Sequence, residues 1–110
     1  AAAQDCGQTA GSRMKSVRAI LRKEFPITRR VVVSIDDADE AEDFGACWME
    51  GDTIRISVRE SCEHGEMSHT LIHEWAHARL ADKAGKICSR HSVAWAREYG
   101  AMSQRVFGNE

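Results

Sequence analysis

The chain has 110 residues and a mass of 12.3 kDa, the size of one domain built around one core. With 43% hydrophobic and 29% charged residues and a single proline, it falls outside the collagen-like, proline-rich and disordered classes. The net charge of −2 gives no global attraction to nucleic acid, yet the charge is segmented: residues 1–30 carry +5, 31–66 carry −9 and 67–110 carry +2. No apolar run approaches the roughly 20 residues that span a bilayer, so no membrane partner is expected.

Residues 1–11 have no apolar signal-peptide core and read as a flexible tail, followed by a single domain over 12–110. From Ser12, a natural N-cap, the spacing of Met14, Val17, Ile20, Leu21 and Phe25 predicts an amphipathic helix that Pro26 stops. Its outer face is basic: Arg13, Lys15, Arg18, Arg22 and Lys23. The β-branched run Val31, Val32, Val33 and Ile35 predicts a strand, and 36–43 an acidic loop. Segments 46–50 and 53–58 predict a hairpin turning at Gly51-Asp52. In the second, Ile54, Ile56 and Val58 alternate with Arg55 and Ser57, one face buried and one wet.

After a loop over 59–65, which contains His64, the period becomes helical: Met67, Leu71, Ile72, Trp75, Ala78 and Leu80, with Gly85 as the terminating residue. A short connection leads to a last helix over 91–107, with Val93, Ala94, Tyr99, Met102 and Val106 as inner positions. The order helix, three strands, helix, helix predicts an α+β domain with its helices on one face of a small three-stranded antiparallel sheet.

Cys6, Cys47, Cys62 and Cys88 contain no C-x-x-C pair, which argues against a zinc ribbon or a thioredoxin-like redox motif. Reduced thiols in a cytoplasmic protein are the expected state.

Chemistry enters with His73-Glu74-Trp75-Ala76-His77, an H-E-x-x-H sequence. Residues four apart on a helix share a face, so two imidazoles can converge on one zinc ion. Glu74 is poorly placed to join that coordination, but it can reach a water in the open position and act as its general base. The flanks are uncharged: Thr70, Leu71 and Ile72 before, Trp75 and Ala76 within, Ala78 after; Arg79 is the one charged neighbour. A third ligand is sought downstream among Asp82, His91 and Glu98. Asp82, five residues after His77, points off the ligand face. His91 opens the last helix just after a loop that can fold it back over the site, and is preferred; Glu98 is the alternative.

This order of motifs resembles the SprT-like (Spartan-type) zinc metallopeptidases, in which H-E-x-x-H is followed by H-G-x-x-F/W. Here the second element is His91-Ser92-Val93-Ala94-Trp95, with Ser92 in place of the glycine. The block Thr53-Ile54-Arg55-Ile56-Ser57, a loop, then Thr70-Leu71-Ile72-His73 is also similar, and the likeness spans about residues 31–107. It implies a zincin-like minimal domain without the family's C-terminal zinc ribbon. One Zn2+ would be held by His73, His77 and His91, with Glu74 the catalytic carboxylate and Trp95 packed behind His91. Larger members add DNA-binding or partner-recruiting segments.

Other residues carry secondary expectations. His69, one turn before His73, is either simply exposed or a cleft-wall or supporting residue. Tyr99 could stabilise an oxyanion or simply pack in the core. Trp48, on a candidate edge strand for β-augmentation, is either cleft or core. The basic N-terminal helix could make a weak contact with DNA phosphates, but lacks interleaved aromatics for base stacking. The acidic loop lacks the order of an EF-hand. Its charge, if it lines the cleft, favours basic substrate segments. The expected function is a zinc-dependent metalloendopeptidase acting on polypeptide; the alternatives are a non-catalytic zinc-stabilised adaptor or a DNA-associated binding module on the same scaffold.

Overall fold

A computed structural model describes the backbone of residues 2–36, 44–60 and 64–108, and the side chains of residues 13–36, 44–60 and 67–108. The acidic loop, Cys62 and the side chains of Cys6 and His64 lie outside those residues. The elements run α1 (Ala2–Glu24), β1 (Val31–Asp36), β2 (Gly45–Glu50), β3 (Thr53–Arg59), α2 (His64–Ala84) and α3 (Val93–Phe107).

Helix α1 begins well before Ser12, so that residue lies inside the helix rather than capping it, and the stretch expected as a tail continues the helix. Its buried row is Met14, Val17 and Leu21, at the three- and four-residue spacing that puts one stripe on the core. Helix α2 starts two residues earlier than expected and takes in His64. It ends as expected: Gly85 adopts φ 78° and its N–H reaches the Ala81 carbonyl at 2.7 Å.

The sheet is mixed, which corrects the antiparallel expectation. The strand order is β1-β3-β2; β1 pairs with β3 in parallel (Val31 opposite Ile54), and β2 with β3 antiparallel (Met49 opposite Ile54). Strand β3 takes the centre because Ile54, Ile56 and Val58 are fully buried and even its alternate residue Ser57 is largely covered. The chain between Asp36 and Gly45 therefore passes from one edge to the other, and the hairpin then brings β3 back between β1 and β2. Gly51 opens the hairpin turn at φ 59°, the positive value a II′ turn requires at its first central residue.

Helix α2 occupies the middle of the domain, against α1, α3, β2 and β3. Leu71, Ile72 and Trp75 are almost wholly removed from water, each stabilising the fold by about 1.5–3 kcal/mol. The indole N–H of Trp75 donates to the Phe25 carbonyl at 2.9 Å. The lower end of α2 is pinned by Asp82, whose carboxylate accepts from the Thr28 N–H and hydroxyl at 2.8 Å and from the Arg29 N–H at 3.1 Å. Burial alone would raise the Asp82 pKa, but these donors outweigh it and hold the carboxyl below its ordinary value.

Helix α3 starts at Val93 with Ser92 as its N-cap: the Ser92 hydroxyl oxygen accepts from the Trp95 N–H at 3.2 Å. His91 thus precedes the helix instead of opening it. Two expected inner positions move outward, with Val93 70% exposed and Ala94 on the surface. The first turn of α3 faces solvent, and the helix meets the core along Trp95, Tyr99, Met102 and Val106, a row at three- and four-residue steps.

Candidate metal centre

His73 and His77 lie one turn apart on α2, and the connection into α3 carries His91 onto the same face. One ring nitrogen from each of the three lies within 4.8 Å of the others. His91 Nε2 stands 3.2 Å from His73 Nε2, and His77 and His91 have ring centroids 5.1 Å apart. Tetrahedral coordination at 2.0–2.1 Å separates neighbouring nitrogens by about 3.3 Å, so the observed pair is already at ligand spacing.

The protonation chemistry agrees with this geometry. Burial, reinforced by its neighbours His77 and His91, lowers the His73 pKa, and burial followed by His91 lowers that of His77. Neutral imidazole is the form that ligates. Three neutral rings cannot all point lone pairs into one small volume unless a proton or a cation lies between them, and a proton bridges only one pair. The Cys88 backbone favours the protonated His77 ring slightly, yet buried Nδ1 of His77 has no partner at hydrogen-bonding geometry. These residues fit a metal ion, with three nitrogen donors among the described residues and no fourth protein donor in the group.

Trp95 braces the arrangement. Its ring packs 4.3 Å from His91 and 4.9 Å from His73, and its indole N–H donates to the His73 carbonyl at 3.2 Å. The Ser92 cap fixes the turn that aims both His91 and Trp95.

Glu74 is buried on α2, with Oε2 3.8 Å from His73 Nε2. Beside it, Gly45 opens β2. A Cβ there would stand 2.5 Å from Thr70 Cγ2 and 3.3 Å from Glu74 Cγ, so only glycine lets the strand approach the helix this closely. Two cavities share His73 and Glu74. One, of about 330 Å³, is completed by Phe44, Gly45, His69, Thr70 and Tyr99. The other, of about 280 Å³, reaches Cys47, Cys88 and the remaining histidines, His77 and His91.

His69 and Tyr99 both line the first cavity and meet each other, Nδ1 to hydroxyl, at 3.2 Å. Trp48 lines neither cavity. It alternates with Cys47 and Met49, which pack toward the core, and is 38% exposed, with its indole N–H donating to Glu50 at 3.1 Å. Glu98 is not in the histidine group. Its carboxylate accepts from Arg79 Nε at 2.8 Å and lies 3.7 Å from Lys83, joining α2 to α3. That pair also explains Arg79, whose other end donates to the Pro26 carbonyl at 2.8 Å.

Gly45, Phe44, Cys47 and Cys88 were not singled out as site residues by the sequence. None of the four carried a signal in the sequence, because each gains its place only once β2 and the connection into α3 lie against α2. Among the described residues, helix α1 contributes no side chain to either cavity. No helix is long and apolar enough to cross a membrane among the described residues.

Comparison with protein-family models, with characterised proteins and with solved structures finds no match to the chain. Function is therefore read from the site itself.

Proposed function

We propose that the protein is a zinc-dependent metalloendopeptidase with a zincin-like, SprT-type centre in which His73, His77 and His91 hold one zinc ion. The observation that carries this reading is the convergence of three histidine nitrogens beside a buried carboxylate, with no fourth protein donor in the group among the described residues. Bound zinc would supply Lewis acidity and an acidified water. Glu74 follows His73 on α2 and holds Oε2 3.8 Å from His73 Nε2, a position from which its carboxylate would accept a proton from that water and pass it to the leaving amine. Among the described residues, strand β2 pairs with β3 on one side only, so its other edge could hold an extended polypeptide by backbone hydrogen bonds.

A protein whose zinc is purely structural would close the coordination sphere with a fourth side chain. Neither Glu98, engaged by Arg79, nor either described cysteine joins the histidine group, which favours catalysis over the adaptor reading. The test is hydrolysis of an unfolded polypeptide by the zinc-loaded chain. Cleavage should stop on chelation and return with zinc; no cleavage under zinc saturation contradicts the proposal.

A further inference from the structure

We propose that the cavity of about 330 Å³ beside His73 and Glu74 is a subsite for a large apolar or aromatic side chain of the substrate, on one side of the scissile bond; this rests on the peptidase reading above. Its volume lies within the range of ligand pockets and exceeds what a small side chain can fill. Phe44 and Tyr99 supply aromatic walls, and Gly45 and Thr70 also line the cavity. The polar tips of Tyr99 and His69 are directed at one another at 3.2 Å, which leaves their rings as contact surface.

The walls are also pre-formed. Tyr99 stacks on Trp95 at 5.0 Å and 19°, and His69 on Phe107 at 4.2 Å and 25°. A rigid wall loses little entropy when a ligand docks. Among the described residues no lysine or arginine lines the cavity, and the one carboxylate is Glu74. Those residues offer an anion nothing to pair with, and a cation only that carboxylate. This differs from the expectation of basic substrates, which rested on the acidic loop; that loop lies outside the described residues. The second cavity that shares His73 and Glu74 has Ala46, Cys47, Ile87, Cys88 and Ser89 in place of Phe44 and Tyr99, so the aromatic preference belongs to the first alone.

The experiment titrates the zinc-loaded chain with N-acetyl-phenylalaninamide, -leucinamide, -lysinamide and -glycinamide, following backbone amide resonances, with polypeptide cleavage measured in parallel. The phenylalanine and leucine probes should shift Phe44, Gly45, Thr70 and Tyr99 and bind at least about tenfold more tightly than the lysine and glycine probes. Phe44→Asp, at an exposed position, should abolish that preference, and Phe44→Leu should keep it. Shifts located elsewhere, equal binding of the lysine probe, or indifference to Phe44→Asp overturns the subsite. Cleavage without such binding refutes the subsite alone, whereas binding without cleavage refutes the peptidase reading, and with it the substrate role of the cavity, and leaves only a pocket for apolar side chains.

Discussion

His91 Nε2 lies 3.2 Å from His73 Nε2 although the two residues are 18 positions apart. A proton can bridge that one pair, but His77 adds a third ring nitrogen to the group, which fits a shared cation. Removing any one ring leaves two donors. His91→Ala is therefore expected to weaken zinc binding by at least about 100-fold. Glu98→Ala should retain one zinc per chain while losing about 1–3 kcal/mol of stability, because Arg79 is left partly buried without its carboxylate. Zinc competition against a chromophoric chelator, with denaturant melts, checks both. Equal zinc affinity in wild type and His91→Ala contradicts the ligand set.

Trp95 touches the histidines from behind and holds the His73 carbonyl. Trp95→Phe keeps a ring but removes the donor. Zinc affinity should fall about tenfold and stability by about 1 kcal/mol. Unchanged zinc affinity in the same competition assay would make Trp95 a packing residue only.

Asp82 supplies a pH signature. Its folded-state pKa lies below the ordinary carboxylate value of about 3.9, after the donors from Thr28 and Arg29 outweigh burial. A lowered folded pKa gives stability that is present in full above the unfolded pKa and is lost as pH falls through the folded one. Asp82→Asn should thus cost about 1–3 kcal/mol at neutral pH, and the gap to wild type should narrow below about pH 4. Urea melts from pH 7 to pH 3 measure it. A gap that stays constant across that range contradicts the assignment.

The two described cysteines of the second cavity should react differently. Burial, with a further push from Glu74, raises the Cys47 thiol to about 12, whereas Cys88 is exposed. Thiolate, not thiol, is the nucleophile. Peptide mapping after brief iodoacetamide treatment at pH 8 should find Cys88 modified well before Cys47. Equal rates would show that Cys47 is not shielded in this way.

The central site was legible because its signal is local: H-E-x-x-H fixes two imidazoles and a carboxylate on one helix, and His91 follows after a short connection. Chain order left Glu98 open as an alternative, since its contact with Arg79 is set by how α3 packs on α2. The parallel pairing of β1 was hidden for a similar reason. Alternation along β3 shows which residues are buried, not which neighbour stands on each side. Gly45 and Phe44 acquire meaning only once β2 lies against α2, an approach that no spacing within β2 encodes.

The account turns on Glu74 as the proton carrier beside a three-histidine zinc. The most direct measurement is Glu74→Gln, assayed for zinc content and for cleavage of an unfolded polypeptide alongside wild type. The account predicts one zinc per chain in both proteins and a loss of turnover of at least about 100-fold in the variant. Wild-type cleavage by zinc-loaded Glu74→Gln would contradict it.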